Sequence, residues 1–186
     1  EKIIDGAYRI KDSGTKSTEF ANLIYPLINL PSENCLKVKF QAKVENSSNP
    51  LAVACRLANG SSVEIISLQP DIINLYFSGN SVKFATADKF HDYYAIMNKD
   101  HLILKVDGKE IFNVKLKMCA DNPAGHLKGS VYTIPNMHRQ SLLFGSLSGK
   151  GTGSALWKNI YIIDNSDKIR LRDLRFELNF DQTAYL

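Results

Sequence analysis

The stretch LLFGSLSGKGTGSALWKNIYII, Leu142 to Ile163, sets Gly149, Gly151 and Gly153 around Lys150 between two apolar runs. A phosphate-cradling loop needs Gly, four residues, then Gly-Lys-Ser/Thr, placed between a buried strand and a helix N-terminus. Gly145 and Gly149 are one residue too close, Gly151 follows Lys150, and the residues beyond read as a strand. The glycines therefore make a turn between strands, and nucleotide chemistry is set aside. Paired carboxylates come next, since two acids on one face of a strand can bracket a glycosidic bond. Glu177 and Asp181 in LRFELNFDQ share parity, but they fall on the polar side of an alternating strand and read as a solvated face. His91, His101, His126 and His138 show neither the i, i+4 spacing of a helical metal site nor an acidic partner at short range that would mark a base. Cys35, Cys55 and Cys119 lack the close pairing of zinc and redox centres. Cys55 shares parity with Val53 and Leu57 and reads as core, and a Cys35 to Cys119 disulfide would need export and proximity, so free thiols are expected. No catalytic or metal-ligating set is assigned.

Aromatic and basic residues remain. Trp157 is the only tryptophan, and an indole offers a flat apolar face that stacks on a pyranose ring. If Tyr93, Ala95 and Met97 take inward positions, Tyr94 and Ile96 point outward, and outward apolar groups on a sheet mark a binding surface. Arg56 in LAVACRL and Tyr76 in IINLYF add a hydrogen-bonding fork and a second ring. Tyr76, Tyr94 and Arg56 are the candidate ligand-binding residues.

The elements that must position these residues read as strands. Alternation is clean in LKVKFQAKV, and shorter β-rich runs follow at LAVACRL, VEIISL, IINLYF and VKFATA, separated by turn residues. Asp107-Gly108 between two alternating runs predicts a type I′ hairpin, with Leu102, Leu104 and Val106 facing inward on one strand and Phe112, Val114 and Leu116 on the other. STEFANLIYPLINL is ambiguous between helix and strand until Pro26 and Pro31 break it, so low helix content is expected. Residues 119–140 are the most loop-like region. At 186 residues, 44% hydrophobic and 23% charged, the chain has the composition of one soluble globular domain. Its net charge of +4 is spread along the sequence, which disfavours a nucleic-acid partner. No segment approaches the roughly 18 apolar residues that span a bilayer, so membrane insertion is not expected. The sequence begins at Glu1 without methionine, as after removal of a signal peptide or tag.

FHDYYAIMNKDHLILKVDGKEI, Phe90 to Ile111, resembles the segment of laminin-G and concanavalin A-like lectin domains that runs aromatic, His, any residue, apolar, a spacer, then Leu-x-Leu-x-Val-Asp-Gly. LFGSLSGKGTGSALWKNIYII resembles the closing part of that fold, and similar paired segments occur in lectin-like domains of bacterial sialidases. The resemblance covers roughly 75 residues before Asp164 and implies an all-β, antiparallel two-sheet jelly-roll sandwich with roughly five to seven strands per sheet. Residues 1–186 would form this single domain, with 164–186 as a terminal strand or a junction to another domain. The resemblance also makes His91 structural and places Trp157 on the core side of the final strand, across a bulge. Calcium is the one cofactor it admits, and Asp164 to Asp167 is the densest oxygen-rich loop, but without a regular ligand ladder no cofactor is expected. The Glu-x-Asp-x-x-Glu pattern of laminarinase-like relatives is absent. The implied function is a non-catalytic, lectin-like carbohydrate-binding module of a secreted, periplasmic or cell-surface protein, with a glycan as partner and other domains of a larger protein beside it. The alternatives are a glycoside hydrolase on the same fold, with the 119–140 loop as a cleft wall, and a protein-interaction or adhesion module.

Overall fold

The computed structural model describes residues 2–4, 6–14, 22–26, 35–117, 141–147, 151–164 and 167–170. Within them the chain makes strands and no helix: β1 (Lys2–Ile4), β2 (Ala7–Asp12), β3 (Asn22–Pro26), β4 (Cys35–Ser47), β5 (Ala54–Ala58), β6 (Val63–Gln69) and β7 (Ile72–Leu75) come first. Then follow β8 (Asn80–Lys83), β9 (His91–Asn98), β10 (His101–Val106), β11 (Lys109–Lys115), β12 (Ser141–Gly145), β13 (Gly153–Asp164) and β14 (Asp167–Arg170). Pairing sorts them into two antiparallel sheets. The first runs β1-β2-β13-β4-β9-β10-β11 with β14 added beside β13, and the second runs β3-β12-β5-β6-β7-β8. The first sheet has eight strands, one more than expected, because β13 is long enough to pair β2 at its start and β14 at its end. Asn22–Pro26, from the ambiguous stretch, is an edge strand, a position that tolerates proline.

Period-2 alternation builds the core. Leu36, Val38, Phe40, Ala42 and Val44 of β4 and Tyr93, Ala95 and Met97 of β9 face inward, opposite Cys55, Leu57, Ile66, Leu68, Leu142 and Phe144 of the second sheet. Four rings lock the layers. Phe40 stacks on Tyr93 with centroids 4.9 Å apart, and Phe144 meets Phe40 and Trp157 edge-on at 5.3 Å each. Truncating such a buried ring to alanine costs about 3–5 kcal/mol. The Asp107-Gly108 hairpin forms as expected: φ is 50° and 80° at the two turn residues, and Val106 pairs with Lys109. Phe112 and Leu116 are buried, while Val114 is half-buried beyond a register shift at Leu104/Lys105.

The glycine-rich turn has a packing reason. Its described part, residues 151–153, lies against the 47–52 turn: Ser48 N donates to Thr152 O at 2.9 Å, and Thr152 N donates to Ser48 Oγ at 2.8 Å. A Cβ on Gly153 would stand 2.6 Å from the Ala52 carbonyl oxygen, and one on Gly151 would overlap the Asn49 side chain. The glycines admit a close approach of two turns.

Candidate functional site

On the outer face of the eight-stranded sheet, register lines up side chains from four strands. Tyr161 of β13 pairs with Lys39 of β4, Lys39 with Tyr94 of β9, and Tyr94 with Lys105 of β10. All four positions have the parity opposite to the core residues, so ring and cation alternate across the sheet. The row depends on an irregularity. Between Lys158 and Tyr161 the β13 register shifts, and Asn159 takes a positive φ of 52°, a conformation asparagine tolerates. Trp157 and Ile160 can then both enter the core, while Lys158, Asn159 and Tyr161 project from the other side.

An open groove of about 510 Å³ follows this row, lined by Lys39, Gln41, Asp92, Tyr94, Lys105, Asn159 and Tyr161. One wall is a fixed polar chain: Asn159 Nδ2 donates to Gln41 Oε1 at 2.7 Å, and Gln41 Nε2 donates to Asp92 Oδ1 at 2.7 Å. Lys39 Nζ stands 4.9 Å from the Tyr94 ring centroid, a cation–π contact worth about 0.5–1 kcal/mol at an exposed site. The groove offers flat rings, oriented amides and cations.

Of the three residues proposed from sequence, Tyr94 lines this groove, half-buried, with Ile96 on the same outer face. Arg56 and Tyr76 belong to the other sheet. Arg56 Nη1 donates to Ser141 Oγ at 2.9 Å, on a face where Ala54, Ala58, Ile65, Ser67 and Leu143 are all buried. Tyr76 follows β7, is 39% exposed, and meets Phe77 edge-on at 5.4 Å. The structure does not bring these three together. Lys39, Gln41, Asp92, Lys105, Asn159 and Tyr161 were missed, and strand parity held a signal for Lys39 and Gln41 in KVKFQ and for Lys105 in LILKV. Glu177, Asp181, His126, His138, Cys119 and the 119–140 loop lie outside the described residues.

His91 requires a correction, because it does have acidic partners. Its Nδ1 lies 2.8 Å from Asp107 Oδ2 and its Nε2 lies 2.8 Å from Asp88 Oδ1. Asp88 reaches it from three residues upstream, and Asp107 arrives because β9 and β10 pair. Both contacts are hydrogen bonds only when each ring nitrogen bears a hydrogen. The hydrogen bond from His91, with its charge, outweighs desolvation and holds Asp88 below the usual carboxylate range. At Asp107, burial pushes upward but is outweighed by hydrogen bonds from Asp92 N–H and His91 and by the charges of His91 and Lys89, so its carboxyl is also lowered. The imidazole is buried and packs edge-on against Phe84 at 4.9 Å, so it ties the Asp107-Gly108 turn to Asp88 and the start of β9 rather than facing a ligand.

Glu64 is a buried acid, on the core-facing parity of β6. Its Oε1 accepts from Ile65 N at 2.9 Å and Phe77 N at 2.8 Å, and its Oε2 accepts from Ser78 N at 3.0 Å and Ser78 Oγ at 2.5 Å. Burial raises its carboxyl above the usual range despite these four donors. It braces the turn that presents Tyr76. Burial likewise pushes the Cys55 thiol well up, leaving it inert. No group of three or more His, Cys, Asp or Glu that could hold a metal ion forms among the described residues.

Solved structures of other proteins share this architecture. A family 7 alginate lyase superposes with a TM-score of 0.57 at 10% identity, over 86% of this chain and 80% of that one. Domains LG4-5 of the mouse laminin alpha1 chain superpose at 0.53 and 15% identity, over 95% of this chain and 46% of that one. A sialidase does so at 0.53 and 13% identity, over 84% of this chain and 15% of that one. No family model and no curated protein matches the sequence. At these identities the likeness establishes the fold, a concanavalin A-like jelly-roll sandwich, and that fold alone.

Proposed function

We propose that this domain is a non-catalytic carbohydrate-binding module of an exported protein and that the groove on the eight-stranded sheet holds the sugar. The observation that supports this most is the row Tyr161, Lys39, Tyr94, Lys105 beside the fixed Asn159–Gln41–Asp92 chain. The tyrosine rings stack on pyranose C–H faces, and oriented amides and ammonium groups bond ring hydroxyls without much loss of side-chain freedom. Hydrolysis finds less support. It uses two carboxylates, and among the groove's described residues Asp92 is the only acid and is bonded to Gln41. A protein-adhesion surface finds less as well, since among the described residues Tyr76 is the only exposed large hydrophobic. Arg56 and Tyr76 remain candidates for a separate contact on the other sheet.

A glycan array followed by calorimetry, with and without a chelator, tests the proposal. Binding in the micromolar to millimolar range, surviving chelation and weakened about tenfold or more by Tyr94→Ala, is the expected result. A blank array, or binding indifferent to Tyr94→Ala and Tyr161→Ala, overturns it.

A further inference from the structure

We infer that the ligand of this face is an anionic polysaccharide, a linear glycan bearing carboxylate or sulfate groups at regular intervals, laid across the strands along the row from Tyr161 to Lys105. The inference rests on the carbohydrate-binding reading and adds the ligand's charge and direction. Its basis is uncompensated charge. Among the described residues, Lys37, Lys39 and Lys105 on this face enter no ion pair, whereas Arg9 is paired with Glu45 at 2.7 Å, Lys89 with Asp107 at 3.8 Å and Lys115 with Asp100 at 3.5 Å. The nearby acids keep their charge but form no ion pair with these lysines among the described residues. Asp92 accepts from Gln41, and Glu110, opposite Lys105 in register, accepts from Asn113 Nδ2 at 3.1 Å.

The spacing then selects the ligand's shape. Lys39 and Lys105 flank β9, so their backbones lie two strand steps apart, about 9–10 Å, and Tyr161 and Tyr94 flank β4 at the same interval. Ring, cation, ring, cation at even steps on one sheet face suits an extended chain whose rings and charges recur. It does not suit a compact phosphate, which needs donors that converge on one point. A neutral glycan would use the tyrosines and the amide chain but leave the ammonium groups with only water.

Calorimetric titrations of the whole chain decide the matter, using oligosaccharides of equal length from a polyuronate, a sulfated galactan free of carboxylates and a neutral glucan, with a single-stranded DNA oligonucleotide as the fourth probe. At least one anionic glycan is expected to bind more tightly than the glucan and the DNA, with affinity falling about tenfold between roughly 50 and 300 mM salt. Lys39→Ala and Lys105→Ala should each weaken that binding about two- to fivefold, and Lys83→Ala, the same charge change on the other sheet, should leave it unchanged. The polyuronate and sulfated arms distinguish carboxylate from sulfate. Salt-independent binding of the glucan that is lost in Tyr94→Ala overturns this inference while leaving the carbohydrate-binding reading intact. Loss of response to every glycan overturns both, and tighter binding of the DNA overturns the glycan assignment.

Discussion

Replacing Glu64 tests how the structure accounts for a buried charge. In Glu64→Leu the side chain stays branched but is apolar, ends one atom short of the carboxylate oxygens and offers no acceptor to Ile65 N, Phe77 N, Ser78 N or Ser78 Oγ, now bonded at 2.5–3.0 Å. A buried donor left unsatisfied costs about 1–3 kcal/mol, and the Ser78 hydroxyl can turn away. Relief of the carboxylate's desolvation offsets part of this, so a net loss of about 2–4 kcal/mol is expected. Glu64→Gln retains one carbonyl oxygen for Ile65 and Phe77 but turns an amide N–H toward Ser78 N–H, and should lose about 1–2 kcal/mol. Urea unfolding followed by the fluorescence of Trp157, the only tryptophan and fully buried, reads both variants. For a domain of this size the leucine variant should melt about 5–15 °C lower. The pH dependence follows from the raised carboxyl of Glu64. A raised native value contributes stability that is fully present below the ordinary glutamate range and lost as pH rises through the native value. The gap between wild type and Glu64→Gln should therefore narrow from acid toward neutral pH. A leucine variant as stable as wild type, or a glutamine variant less stable than the leucine one, would refute the reasoning.

Other consequences are open to measurement. Asp88 and Asp107 have lowered carboxyls, so the stability they contribute is present above the ordinary aspartate range and lost as pH falls through their native values. His91→Phe removes the partner they share and should flatten the acid limb of a pH-stability curve; an unchanged limb would contradict the assignment. Gly153→Ala forces a Cβ against the Ala52 backbone and should cost about 1–3 kcal/mol in a urea titration, whereas Gly108→Ala, with open space at its Cβ, should suffer only from its positive φ of 80°. Equal stability of Gly153→Ala and wild type would mean that the two turns do not pack as closely as described.

What could be read ahead of the structure follows the range of the interactions. The Asp107-Gly108 hairpin and the inward residues of β4, β9 and β10 rest on adjacent-residue turn chemistry and strand parity, which a sequence displays directly. Tyr94 came from the same parity. Its neighbours in the row did not, because Lys39, Tyr161 and Lys105 meet it through strand order, and Tyr161 faces outward only after the shift at Asn159. Asp88 stood within reach of His91 in the sequence, but Asp107 reaches it only through the fold of the hairpin. Glu64 was visible as one acid within VEIISL, though its four donors come mostly from a turn more than ten residues on. Arg56 and Tyr76 show the limit of parity, which marks a face but does not say which sheet that face belongs to.

The central claim is one of location, and backbone amide chemical shifts during titration with a glycan identified on the array test it most directly. The account predicts saturable shifts at Lys39, Gln41, Tyr94, Lys105 and Asn159, with Arg56, Ile65 and Leu143 of the other sheet unmoved. Shifts confined to Arg56, Ile65 and Leu143 would contradict it.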